Sequence, residues 1–90
     1  MDSGEGRRRP RRKQTDVERY NRKSAQIMRS LREKTGLYQA EFGKLIHNTS
    51  QSTVSHWEFG DHTPDYDVHE KIIEVGRQYG MAISKDDLIE

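Results

Sequence analysis

Residues 49–60 read Thr-Ser-Gln-Ser-Thr-Val-Ser-His-Trp-Glu-Phe-Gly, and they carry more information than any other part of this chain. The spacing predicts one short helix with Val54 and Trp57 on an apolar inner edge. Its outer edge holds Gln51, Ser52, Ser55 and His56. No Lys, Arg or Glu lies between Thr49 and Trp57, although exposed helix faces usually fill with charge. An uncharged edge of amide, hydroxyl and imidazole groups suits the edges of bases in the major groove of DNA. Gln pairs bidentately with adenine, and Ser donates or accepts against several bases. The plain alternative is a solvated polar face with no partner.

Upstream, His47-Asn48-Thr49 reads as a turn in which Asn or Thr caps the helix that follows. Before it a helix is predicted from about Tyr38 to Ile46, with Leu37, Phe42, Leu45 and Ile46 apolar. Thr15-Asp-Val-Glu18 has capping-box spacing and opens an earlier helical stretch. Val17, Tyr20, Ile27, Met28 and Leu31 recur every three or four residues towards a stop at Gly36. The polar Asn21-Arg-Lys-Ser24 segment leaves open whether residues 16–35 form one helix or two. Downstream, the loop Asp61-His-Thr-Pro64 leads to a helix capped by Asp65, with a stripe of Val68, Ile72, Val75 and Tyr79 ending at Gly80. Ser84-Lys-Asp-Asp87 caps a last short turn with Leu88 and Ile89. No alternating apolar and polar run argues for a strand, so the fold is predicted all-α with about five helices.

Ninety residues, 30% of them hydrophobic, allow one small domain with a thin core, for which self-association would help. The absence of cysteine excludes disulfides and thiolate metal ligands. No apolar run reaches the length of a membrane span or a signal-peptide core, so a soluble, cytoplasmic chain is expected. The net charge of +1 conceals an asymmetry: residues 7–13 hold six of the sixteen Lys and Arg. Without residues 1–13 there are ten basic against thirteen acidic side chains, a body charge of −3. Residues 64–90 alone have three basic and seven acidic groups, or −4. A polyanion is therefore expected to meet the N-terminal side. Residues 1–14, too polar to bury themselves, are read as a disordered basic arm, and 15–90 as the folded domain.

Residues 24–89 resemble the lambda repressor and Cro family of helix-turn-helix proteins. The matching residues are Ile27 and Leu31-Arg32, then Leu37-x-Gln39-x-x-Phe42, then Ser50-Gln-Ser-Thr-Val54-Ser-x-Trp57-Glu58-x-Gly60, with Pro64 beyond. The resemblance implies a five-helix, lambda-repressor-like bundle in which the second helix of the pair reads the major groove. Carried over by position, Gln51, Ser52, Ser55 and His56 would contact bases. Gln39 resembles the family's phosphate-gripping Gln, and a helix start suits that role through its unpaired N–H groups. Thr49, Ser50 and Lys44 join the expected phosphate contacts, as do Arg7, Arg8, Arg9, Arg11, Arg12 and Lys13 of the arm. Arg22, Lys23 and Arg29 are further candidates. Arg32 and Glu58 match a pair that forms an internal ion bridge orienting the reading helix.

This chain departs from the family pattern twice. Between Phe42 and Val54 it has one residue more than is common, placed at His47-Asn48-Thr49 where Gly-Val is usual. That turn sets the angle between the two helices, so a changed docking pose is expected. After Gly60 stands Asp61, where the family often has basic or amide groups, and the loop is expected to add little affinity.

His47, His56, His62 and His69 lack the spacing of paired metal ligands, so no metal or other cofactor is expected. No Gly-rich phosphate loop or Ser–His–acid set supports catalysis, and no enzyme is expected. The sequence is read as a DNA-binding transcriptional regulator, by resemblance a repressor, in a phage or mobile-element setting. It would bind double-stranded DNA as a homodimer on a near-palindrome. The dimer surface is expected around Val68–Ile89, or near Tyr20 if the first helix is extended. The alternative is an antitoxin-like or bridging module whose acidic C-terminal region binds a protein partner.

Overall fold

The computed structural model describes residues 14–90, with side chains from Val17 onward. Six helices follow in order: α1 (Gln14–Tyr20), α2 (Lys23–Thr35), α3 (Gln39–Leu45), α4 (Gln51–Phe59), α5 (Tyr66–Gln78) and α6 (Lys85–Ile89). The described residues contain no strand. The count exceeds five because the chain breaks at Asn21–Arg22, where Arg22 takes the extended ψ of 145°. Gln26 seals the break by donating from Nε2 to the Asn21 carbonyl at 2.7 Å. Gln14, assigned above to the arm, is the first residue of α1. The rest of the arm and the Thr15–Glu18 capping box lie outside the residues or side chains described.

The apolar stripes of five helices meet in one core: Met28 and Leu31 of α2, Phe42 of α3, Val54 and Trp57 of α4, Val68, Ile72 and Val75 of α5, and Leu88 of α6. Ile46 and Ile83 fill it from the connecting turns. Two apolar positions of the first helical stretch do not join it: Val17 and Tyr20 are 41% and 43% exposed. They sit on α1, which packs beside the bundle after the break at Asn21–Arg22. The extended first helix needed for a dimer surface at Tyr20 is therefore absent, and Tyr20 packs on its own chain.

Local signals account for most helix ends. Ser84 and Asp87 form a reciprocal capping box at α6, with bonds of 3.3 and 3.0 Å. At α4 the cap is Ser50, whose Oγ accepts from the Thr53 N–H at 3.2 Å. Asn48 and Thr49, expected above as caps, have other tasks. Asn48 turns the chain at φ 59°, and the Thr49 hydroxyl donates back to the Ile46 carbonyl. Asp65 occupies the N-cap position of α5 without a side-chain capping bond.

The extra residue of the α3–α4 turn is absorbed by two successive left-handed residues, His47 at φ 52° and Asn48 at φ 59°. The Thr49 N–H then donates to the Gly43 carbonyl at 2.7 Å. Gly43 lies inside α3, and a Cβ there would overlap the Thr49 carbonyl oxygen. A glycine in the helix thus lets the lengthened turn fold back onto α3.

Candidate nucleic-acid interface

A cluster of polar contacts seats α4. Glu58, buried in its last turn, accepts from Arg32 Nε at 2.5 Å and from Arg32 Nη2 at 3.2 Å. The Glu58 hydrogen bond raises the Arg32 guanidinium further above its already high ordinary pKa. Gln39 Nε2 donates to the same carboxylate at 3.1 Å. Arg29 adds a brace that the sequence did not reveal. Its Nη1 donates to the Glu58 carbonyl at 2.6 Å and the Tyr20 carbonyl at 2.9 Å. Its guanidinium carbon stands 3.8 Å from the centre of the Tyr20 ring. Three arms from α2 and α3 therefore hold one end of α4, while Val54 and Trp57 bury its inner edge.

The opposite edge is open. Gln51, Ser52, Thr53, Ser55 and His56 are all exposed, and none carries a permanent charge. Thr53 belongs to this arc, although the sequence reading did not name it. Beside it runs a polar groove of about 490 Å³, lined by Thr53, His56, Trp57, His62, Thr63 and Asp65.

Among the residues named for phosphate contact, Lys44 is exposed on the last turn of α3. Thr49 and Ser50 stand at the start of α4, but both hydroxyl protons are used within the chain, on the Ile46 carbonyl and on Thr53 Oγ1. Gln39 is half-buried, with one amide bond directed at Glu58. Arg29 is spent on its internal brace, and Lys23 on Asp87 at 2.9 Å. Arg7, Arg8, Arg9, Arg11, Arg12 and Lys13 lie outside the described residues.

Asp61 does not stand alone: its carboxylate takes the His56 Nδ1 at 3.1 Å and lies 3.7 Å from Arg19 Nη1. Gly60, at φ 90°, packs so closely beneath α1 that a Cβ would overlap the Arg19 carbonyl. Tyr20 meets Phe59 edge to face at 6.1 Å. The end of α4 and the end of α1 are thus one packed unit. A glycine inside a predicted helix was the available hint for Gly43; nothing local announces that Gly60 lies beneath another helix.

Two helices joined by a tight turn, the second seated by its apolar edge and open on its polar one, form a helix-turn-helix unit. A family model described as helix-turn-helix matches residues 28–77, more than half of the chain. The chain belongs to the helix-turn-helix family. It is a DNA-binding regulator of the lambda repressor and Cro type. Neither the curated proteins nor the solved structures give a match. The matched residues run from α2 into the last turn of α5, so α1 and α6 lie outside them. Among the described residues, no group of three or more His, Cys, Asp or Glu is placed to hold a metal ion, and no helix is long and apolar enough to cross a membrane.

Proposed function

We propose that this protein is a sequence-specific transcriptional repressor, without enzymatic activity, that binds a near-palindromic operator as a homodimer. In this reading α4 lies in the major groove, and Gln51, Ser52, Ser55 and His56 meet base edges. The single observation that carries it is the exposed, uncharged edge of a helix held from behind by Arg29, Arg32 and Gln39. Lys44, Gln39 and the basic residues 7–13 supply phosphate attraction, which orients the protein without choosing a sequence. A site of action on the nucleoid follows from the same reading.

One helix reads only a few base pairs, so two copies are needed for useful specificity. The surface offered for pairing lies at the α5–α6 end. There Ile73, Met81, Ala82 and Ile83 line an open apolar groove of about 330 Å³, and Ile89 is half exposed. Selection of bound duplexes from a random pool tests the whole reading. The winners should contain two related half-sites about 10 base pairs apart, centre to centre. Winners with no common sequence would refute it.

The second reading, a protein-binding module, draws support from the outer face of α5. Tyr66 is 80% exposed beside Asp67, Glu70 and Glu74, along a groove of about 300 Å³ that Lys71 and Lys85 also line. Under that reading a Gln51→Ala substitution would leave partner affinity unchanged.

A further inference from the structure

Asp61 is an odd residue to place where a reading helix ends, because a carboxylate beside DNA repels phosphate. Yet it is held in position from two sides. Its backbone N–H donates to the His56 carbonyl at 3.1 Å, and its carboxylate is close to Arg19 of α1. Arg19 cannot slide away easily, because its own carbonyl is pressed against Gly60 and the neighbouring Tyr20 ring is wedged between Phe59 and Arg29. Arg19 faces Oδ1 of the Asp61 carboxylate, and its other oxygen, Oδ2, lies 3.1 Å from Nδ1 of His56.

An ionised carboxylate only accepts hydrogen bonds, so the Nδ1 it faces must carry the proton. Nε2 is then the ring nitrogen left to face a base, as an acceptor in the neutral imidazole and as a donor in the imidazolium. In the major groove, the donors available to an acceptor are the amino groups of adenine and cytosine. We infer that Asp61, anchored by α1, is a specificity-determining positioning residue: by holding Nδ1 it fixes the ring orientation with which His56 presents Nε2 to a base edge. The inference rests on the DNA-reading function proposed above. It also gives α1, which lies outside the family match, a task at the interface.

Removing a negative charge near DNA would by itself tighten binding to every duplex alike. Two variants of the full chain separate that effect from positioning. Asp61→Asn loses the charge but keeps a carbonyl acceptor; Asp61→Ala loses both. Base preference is measured at each position of the selected operator by fluorescence anisotropy, with His56→Ala locating the position that His56 reads. Asp61→Ala should flatten preference at that same position by about fivefold or more, and should add nothing on the His56→Ala background. Asp61→Asn should retain the preference. The ring ¹⁵N spectrum should show the Nδ1–H tautomer in the wild type and in Asp61→Asn, and lose it in Asp61→Ala.

If both Asp61 variants bind all duplexes more tightly with base preference intact, or if His56→Ala changes no position, the positioning role is overturned. Gln51→Ala then shows whether base reading itself survives, since it should still lower preference at its own position. A wild-type protein with no preference at all would overturn the proposed function and this inference with it.

Discussion

At Gly43 the absence of one methyl group lets the α3–α4 turn close. Because a Cβ would overlap the Thr49 carbonyl, Gly43→Ala should force α3 and the turn apart. The expected cost is about 2–3 kcal/mol in urea unfolding, as for other overpacked sites; a change below about 0.5 kcal/mol would contradict the geometry. Glu58 presents the opposite problem, a buried charge that needs its partner. Arg32→Met would leave the carboxylate with Gln39 and should cost about 2–4 kcal/mol. That lies towards the lower side of the usual range for a broken buried pair, because Arg32 is a quarter exposed. Adding Glu58→Leu should restore much of the loss, which denaturation of the double variant would show. Its operator binding should not recover, since the pair orients α4.

The helices themselves were largely legible in the sequence, because capping groups, glycine stops and three-to-four-residue stripes act locally. Ser84 with Asp87, Gly36 at the end of α2 and the stripe Val68, Ile72 and Val75 all needed only neighbours to be read. The split between α1 and α2 was left open, since polar Asn21–Arg22 suits either a break or a solvated turn. What stayed hidden were meetings between residues distant in sequence: Arg29 with Tyr20 and Glu58, Gly60 with Arg19, and Asp61 with His56. No local pattern encodes such contacts. They follow from how α1 packs against the end of α4. The attachment of α6 is another such contact, and it makes a pH prediction. The Ser84 backbone N–H, then Lys23, lower the Asp87 pKa, while Asp87 raises that of Lys23. A lowered carboxylate stabilises the fold above its unfolded pKa and stops doing so as pH falls through its folded one. A raised ammonium contributes below its unfolded pKa and is lost as pH climbs through its folded one. The contribution is therefore intact at neutral pH and is lost at both the acid and the alkaline end. Lys23 is more than half exposed to water, so that contribution is small. Melting curves of wild type and Asp87→Asn should differ at pH 7 and converge in acid; a constant gap would contradict the assignment.

Across the whole molecule, the proposed function separates attraction, carried by charge, from discrimination, carried by an uncharged edge. The basic residues 7–13 stand against a body of net charge −3. Removing residues 1–13 should weaken binding to all duplexes and flatten its dependence on salt. If the segment makes about four phosphate contacts, the log–log slope should fall by about 3–4. An unchanged slope would remove the segment from the interface. Discrimination is assigned instead to the open edge of α4, whose seating by Arg29, Arg32, Gln39, Val54 and Trp57 keeps it in a fixed pose. The most direct test compares Gln51→Ala with wild type on the selected operator and on a scrambled duplex. The substitution should cost about 1–3 kcal/mol on the operator, relax one base position and leave scrambled DNA unaffected. Equal binding of wild type and variant to both duplexes would contradict the claim that this edge reads sequence.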